Sequence, residues 1–297
     1  MGTSSSFGGA SGATPLVPSW LDDGASGGAA SPSDGTQPAD GTLPADGTPA
    51  PSVPAAPAAQ PAPRLASADR YTSARSNLTR FATSGGSDRR SLGRAVSQYV
   101  STASGGSRQA AARMGSSRGS AAKLVNFLAD AQANGAREAL RSLNLEALAG
   151  RPIEEVFIGL ADYVCPEGGT IDEGIARDAF IETIADLSNA GITDIDGLTT
   201  EQIQTVFELY ATHAIEARLC NDIGLKTVRM PADVGAAQRV QSQLRDFIQR
   251  GVSDALNAAQ RDTSQPLTIE RTLTFVTGVY QSAFAILQAL GDAEADK

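Results

Sequence analysis

The sequence is poor in the residues from which most enzyme active sites are built. It holds one histidine, His213, and two cysteines, Cys165 and Cys220, whose separations match no known zinc-ligand spacing. The stretch Gly115–Gly119 fits the pattern of a nucleophile elbow, but an Ala/Arg-rich helical stretch precedes it where that motif needs a strand. We therefore expect no enzyme, no metal site and no cofactor, and we expect His213 to lie on a helix surface.

Signal sequences and convincing membrane spans are also lacking. Because no apolar signal opens the chain, the two cysteines are expected to be reduced thiols of a cytoplasmic protein. The one long apolar stretch, Leu273–Leu290, is at the short limit for a membrane span and is interrupted by Gln281 and Gln288. We expect a buried core helix there and no membrane partner.

Lysine and arginine are missing from residues 1–63, which carry a net charge of −5. Residues 64–142 carry +9 and residues 143–297 carry −13. Such segregation predicts that the middle segment faces something acidic. The acidic surface could belong to the C-terminal half of the chain itself, to a partner protein or to nucleic acid.

Residues 22–66 are poor in large apolar residues and rich in Pro, Ala and Gly, with Asp-Gly-Thr triplets recurring every six residues. A segment of this composition cannot bury enough apolar surface to fold. We expect a disordered linker, with a root-mean-square reach of roughly 35 Å on flexible-chain statistics. It would tether a leader peptide, residues 1–21, to the foldable part of the chain.

Helical periodicity dominates after the linker. Residues 67–142 are expected to form a basic, arginine-rich helical segment, and residues 143–297 an acidic helical domain. The spacings Thr170–Glu173 and Thr199–Gln202 are typical of capping boxes at helix starts, and Pro152 suits a first helical turn. The predicted fold class is all-α, preceded by a long disordered leader and linker.

Arginines in the basic segment could bind phosphates or a partner protein. Base-stacking aromatics are sparse among them, limited to Tyr71, Phe81 and Tyr99, so a solvated or partner-facing surface is preferred over nucleic acid. The candidate arginines are Arg89, Arg90, Arg94, Arg108, Arg113 and Arg118.

The leader offers the most reactive group in the sequence. A small second residue allows removal of Met1, which leaves the free α-amine of Gly2 with an ordinary pKa of about 7.7–8.0. The leader also contains apolar residues that a purely solvating tail would not need, whereas a peptide that docks in a groove needs a few such anchors. The expected partner-binding residues are Thr3, Ser4, Ser5, Ser6, Phe7, Pro15, Leu16, Val17, Pro18, Trp20 and Leu21.

Several stretches resemble the QatB family of the four-component Qat anti-phage defence systems of bacteria. They are MGTSSSFGG and TPLVPSWL in the leader, and SARSNLTRFA, SGGSDRRSLGRAVSQYV and GGSRQAAARMGSSR in the basic segment. The resemblance implies three partners: an ATPase, a QueC-like enzyme similar to the 7-cyano-7-deazaguanine synthases, and a TatD-like nuclease.

The resemblance also implies a role for the leader. Synthases of the QueC type activate a deazaguanine carboxylate with ATP and let ammonia attack it, and a peptide α-amine is an equivalent nucleophile. The resulting hypothesis is a non-catalytic defence component whose Gly2 is bound, and conjugated to a deazapurine, by the QueC-like partner. Two alternatives stay open: a nucleic-acid-binding accessory that recruits a nuclease through its arginines, and a plain helical scaffold.

Overall fold

Ten α-helices account for most of the chain that the structure, a computed structural model, describes: residues 68–224, 228–262 and 269–297. They are α1 (Thr72–Thr83), α2 (Arg89–Gln98), α3 (Ser107–Ala112), α4 (Gly115–Asn134), α5 (Ala136–Ser142), α6 (Ile153–Val164), α7 (Ile171–Leu187), α8 (Thr200–Ile223), α9 (Val234–Asp262) and α10 (Ile269–Ala295). A 3₁₀ turn, Ala68–Tyr71, precedes α1, and a π-helical turn, Tyr99–Ala103, follows α2. No strand occurs in the described ranges, and the predicted all-α class is confirmed.

Capping boxes start α7 and α8 where the sequence predicted them. The Thr170 hydroxyl accepts the backbone N–H of Glu173 at 3.2 Å, and the Glu173 carboxylate accepts the Thr170 N–H at 2.9 Å. Thr199 and Gln202 make the same reciprocal pair at 3.2 and 2.9 Å. These bonds satisfy N–H groups that have no partner inside the helix. Pro152 stands one position earlier than predicted, immediately before the first residue of α6.

One hydrophobic core joins the basic and acidic segments. α10 packs against α2, α3, α4 and α9, while α8 packs against α4, α7 and α9. Buried apolar residues from both sides of position 142 belong to the same cluster. The basic and acidic segments, which meet at residue 142, therefore share one continuous core within the compact unit formed by residues 63–297.

Aromatic rings tie three helices of the acidic segment together. Phe157 of α6 stacks on Phe180 of α7 with the ring centroids 5.6 Å apart, and Tyr210 of α8 meets Phe180 edge-on at 6.4 Å. All three side chains are fully buried. Such stacked and edge-to-face pairs add to the free energy gained by burying the rings.

The last helix resembles a membrane span by length and composition. Residues Arg271–Ala295 have a window of mean hydropathy 1.4, and this is one candidate span among the described residues. In the folded chain one face of α10 is covered by neighbouring helices. Its largest buried residues are Val276, Val279, Tyr280, Phe284 and Leu287. About a third of the apolar window is buried, so α10 packs against the body through one face.

Candidate functional site

The leader residues proposed for modification and docking lie outside the described residues. They are Gly2, Thr3, Ser4, Ser5, Ser6, Phe7, Pro15, Leu16, Val17, Pro18, Trp20 and Leu21. The linker, residues 22–66, lies outside them as well. The structure therefore places the arginines of the basic segment, and the body to which the leader is attached.

A buried carboxylate near the end of α8 gathers donors from the basic segment. The Asp222 side chain is only 6% exposed and accepts hydrogen bonds from the Tyr71 hydroxyl at 3.1 Å and the Tyr99 hydroxyl at 3.0 Å. The Arg113 guanidinium lies 3.2 Å from the same carboxylate, and the Arg218 Nε lies 3.3 Å from it. We refer to these five residues as the Asp222 cluster.

Burial fixes the protonation of the two tyrosines in the Asp222 cluster. The pKa of Tyr99 is raised far above its ordinary value, first by burial and second by the negative charge of Asp222. The pKa of Tyr71 is raised by the same two causes in the same order. Both hydroxyls therefore keep their protons and act as donors to Asp222.

The Asp222 cluster continues to the start of α4. Arg218 also binds Asp172 at 3.1 Å, and Asp172 accepts the backbone N–H of Ser116 at 2.8 Å. A carboxylate at this position interacts favourably with the positive end of the α4 dipole. A chain of alternating charges thus links α4, α7 and α8.

Three further arginines of the basic segment point inward and bind backbone or hydroxyl oxygens. Arg70 donates to the Ala103 carbonyl at 2.6 Å, and Arg75 donates to the Ile223 carbonyl, at the C-terminal end of α8, at 2.7 Å. Arg118 donates to the Thr277 hydroxyl at 3.0 Å. A cation near the C-terminus of a helix satisfies a free carbonyl and complements the helix dipole.

The six candidate arginines lie in different surroundings. Arg113 and Arg118 are absorbed into the interior contacts just described. Arg89 pairs with Glu294 at 3.2 Å while remaining half exposed. The other three, Arg90, Arg94 and Arg108, are exposed side chains of α2 and α3.

The aromatic residues of the basic segment offer little surface for stacking on bases. Phe81 is fully buried and Tyr99 is 2% exposed. Tyr71 is partly buried, and the Arg70 and Arg113 guanidinium carbons lie 5.1 and 5.8 Å from its ring centroid. Its faces are thus engaged in cation–π contacts within the chain.

The expectation that His213 lies on a helix surface is wrong. His213 is 3% exposed, and its Nε2 lies 2.8 Å from the Asp186 carboxylate. The reason is that α7 and α9 both pack against α8, and residues of all three helices line the cavity beside His213. Its hydrogen bond makes His213 a satisfied core residue.

The two cysteines are free thiols in protected surroundings. Burial, and second the charge of Glu216, raises the pKa of Cys220 to about 12. Burial likewise raises the pKa of Cys165, whose Sγ lies 3.4 Å from the Ala176 carbonyl. A thiol of raised pKa is a poor nucleophile at neutral pH. Among the described residues, no group of three or more His, Cys, Asp or Glu side chains could hold a metal ion.

The Asp222 cluster was not predicted from the sequence. Its members come from residues 71 to 222, and a hydrogen bond between residues so far apart leaves no periodic pattern. Only the composition offered a signal for this cluster. Tyr71 and Tyr99 are among the few aromatic residues of the arginine-rich segment, and the excess of acidic residues lies in the C-terminal half.

A comparison with known families finds a match for the larger part of the chain. Residues 105–287 match the family model described as "Qat anti-phage system associated protein QatB". This range runs from the loop before α3, in the middle of the basic segment, into α10 and covers more than half of the chain. No curated protein and no solved structure matches the chain.

Proposed function

The chain belongs to the QatB family of Qat anti-phage system associated proteins, and we propose that it serves that defence system as a non-catalytic carrier with a modifiable leader. In this proposal a QueC-like partner binds the leader and joins a deazapurine to Gly2. The other partners are the ATPase and the TatD-like nuclease of the system, and the complex works in the cytoplasm.

The proposed reaction is an amide synthesis. Once Met1 is removed, the Gly2 α-amine attacks a deazaguanine carboxylate that the partner has activated with ATP. A bond forms between the Gly2 nitrogen and the carbonyl carbon, the amine loses a proton, and the activated oxygen leaves with the phosphate-bearing group. The chain gains the mass of the acid less one water.

The observation that carries this proposal is the lack of reactivity in the described body. Its one histidine is bound to Asp186, and burial raises the pKa of both thiols. The Gly2 amine has an ordinary pKa of about 7.7–8.0, so a useful fraction is neutral and nucleophilic near neutral pH. A helical body whose chain begins with a nucleophilic amine suits a substrate that is carried to an enzyme.

The direct test is intact-mass analysis of the N-terminal peptide after co-expression with the system's partners. We expect loss of Met1 and the mass increase of the conjugate. Gly2→Glu, which blocks removal of Met1, should abolish both the increase and protection from phage. Gly2→Ala is the matched control, since it keeps Met1 removal and the amine and should keep the increase. An unmodified Gly2 in the complete system, with and without phage, would overturn the proposal.

Three exposed arginines favour nucleic-acid binding as a second candidate function. Arg90, Arg94 and Arg108 could contact phosphates of a duplex and bring a nuclease to it. Three such contacts give a slope of log affinity against log salt of about −2.7. This function requires duplex binding that survives deletion of residues 1–21, whereas the carrier function requires the leader.

A further inference from the structure

Two isoleucines are exposed on the outer side of the α6 and α7 pair. Ile158 of α6 is 65% exposed and Ile181 of α7 is 52% exposed. Their neighbours in the sequence, Phe157 and Phe180, point the other way and stack in the core. Single exposed isoleucines are common on protein surfaces, whereas apolar side chains exposed together mark interaction sites.

Two polar contacts between α6 and α7 place the isoleucines on the same surface. The Arg177 guanidinium binds the Asp162 carboxylate at 3.0 Å, and the Ser188 hydroxyl donates to the Glu154 carboxylate. The two helices therefore run antiparallel, and both isoleucines fall between these contacts. Each isoleucine is also four residues, about one helical turn, from a member of the Arg177–Asp162 pair. They form one apolar patch with polar contacts at both ends.

The surface around the isoleucines is strongly acidic. Residues 153–199, which form α6, α7 and their loops, hold eleven acidic residues and one basic residue, Arg177, a net charge of −10. Some of these carboxylates are paired inside the body, as Asp172 is with Arg218, but others are exposed. We call the surface the α6–α7 face, and its exposed members are Ile158, Asp162, Asp178, Ile181 and Glu182.

A cavity of about 310 Å³ opens beside Ile181, between α7, α8 and α9. The carboxylates of Asp178, Glu182 and Glu216 line it, together with Arg245. Arg245 pairs with Glu216 at 2.8 Å, whereas Asp178 has no ion-pair partner among the described residues. Three carboxylates thus face one guanidinium, and the cavity suits the charged end of an added lysine or arginine side chain.

The charge of the α6–α7 face decides what can dock on it. Nucleic acids and anionic membranes would be repelled, and so would the same face of a second copy. The basic segment of a second copy has the opposite charge, but its described residues, 68–142, expose no large apolar side chain that could cover the isoleucines. A protein segment that carries lysines or arginines around one or two apolar side chains matches both parts of the surface.

From these observations we infer that the α6–α7 face binds a basic segment of another protein of the same defence system. Apolar side chains of that segment cover Ile158 and Ile181, and one lysine or arginine enters the cavity beside Ile181. The apolar contact supplies most of the affinity, while the carboxylates orient the segment and speed its association. The inference rests on membership of the defence family and does not require that Gly2 be modified.

Photo-crosslinking in cells tests where the partner binds. A benzophenone amino acid is placed at position 181 of the full-length chain, which is expressed with the other proteins of the system, and mass spectrometry identifies the adduct. We expect an adduct with one of those proteins, through a segment with an excess of lysine and arginine. The same amino acid in place of Leu273, which is 49% exposed on α10, should give little of that adduct.

Two double variants then measure the apolar and charged parts of the surface, by titration with the crosslinked protein in purified form. Ile158→Ser with Ile181→Ser should weaken binding by about ten-fold or more at low and at high salt, because the apolar contact is lost. Asp178→Asn with Glu182→Gln should weaken binding chiefly at low salt and should slow association, because salt already screens these charges.

Matched double variants elsewhere on the body serve as controls. Val234→Ser with Leu273→Ser removes two other exposed apolar side chains, and Asp254→Asn with Asp296→Asn removes two other exposed charges. Both controls should bind the partner as the parent chain does. Melting temperatures identify any variant that has lost stability. In that case the crosslink at position 181, where a large side chain is kept, decides the result.

Three outcomes would overturn the inference. Position 181 could form no adduct with any protein of the system, or an adduct through a segment without excess positive charge. An adduct with a second copy of this chain would make the face a site of self-association. Equal binding by the parent and by Ile158→Ser with Ile181→Ser would place the interface elsewhere. The mass of the N-terminal peptide tests the carrier function separately, because crosslinking at position 181 does not depend on the state of Gly2.

Discussion

Gly93 of α2 and Gly291 of α10 lie against each other where the two helices cross. A β-carbon added to Gly93 would come within 2.6 Å of the Gly291 carbonyl oxygen, and one added to Gly291 would come equally close to the Gly93 carbonyl oxygen. Both contacts involve backbone atoms, which cannot rotate away. The basic segment therefore joins the last helix through two glycines that no other residue can replace without moving a helix.

Gly93→Ala is expected to destabilise the chain by about 1–3 kcal/mol, because the added methyl group separates α2 from α10. For a folded unit of this size, that loss lowers Tm by about 2–4 °C per kcal/mol. Gly278→Ala is the matched control in α10, since a β-carbon there meets nothing within 4 Å. It should stabilise the helix by up to about 1 kcal/mol. Equal melting temperatures for the two variants would contradict the close backbone contact between Gly93 and Gly291.

Asp222→Asn is expected to cost about 2–4 kcal/mol, since it leaves the charges of Arg113 and Arg218 without their shared partner. The loss is below that of a fully buried ion pair because Arg113 is 28% exposed. Arg89→Gln removes the more exposed pair with Glu294 and should cost no more than about 1 kcal/mol. Urea unfolding compares the two. A cost for Asp222→Asn no greater than that for Arg89→Gln would show that the Asp222 cluster contributes little.

Alkaline pH is expected to destabilise the chain through Cys220. Its folded pKa is about 12, whereas the ordinary value is 9.0. Because the folded pKa is raised, the contribution of the thiol is fully present below pH 9 and is lost as pH rises towards 12. The limiting slope for one proton is about 1.4 kcal/mol per pH unit.

Urea midpoints from pH 7 to pH 10.5 test this effect, with Cys220→Ala as the comparison. Above pH 9 the free energy of unfolding of the variant should fall less steeply with pH. The difference in slope should be at most that of one proton, about 1.4 kcal/mol per pH unit. Tyrosines with raised pKa values remain in both proteins and cancel in the difference. Parallel curves for the two proteins would show that the Cys220 thiol ionises equally in the folded and unfolded states.

The triple variant Arg90→Gln, Arg94→Gln, Arg108→Gln is expected to change stability by no more than about 0.5 kcal/mol, since all three side chains are exposed. On the carrier function it should also keep the mass increase at Gly2. Filter binding to a DNA duplex at several salt concentrations provides the second readout. A tight complex in the parent chain that the triple variant loses, with the salt slope reduced by about 2.7, would favour the nucleic-acid function.

Local sequence patterns predicted where helices form, but they did not predict which helices pack against each other. The capping boxes at Thr170 and Thr199 placed the starts of α7 and α8, because such bonds form between residues three apart. His213 was misplaced, since the pattern along one helix does not show which helices cover its other faces. The Asp222 cluster could not be predicted either, because Tyr71 and Asp222 meet only after the whole bundle has assembled.

The folded body is fastened at the first turn that the structure describes. Arg70 is bonded to the Ala103 carbonyl and Tyr71 to Asp222, so the first turn before α1 is tied both to the π-helical turn and to the end of α8. A pulling force applied at the amino terminus would load these two bonds before any other part of the body. Mechanical unfolding from that end would therefore begin when the Arg70–Ala103 and Tyr71–Asp222 hydrogen bonds break. Helix α1 would then separate from the body.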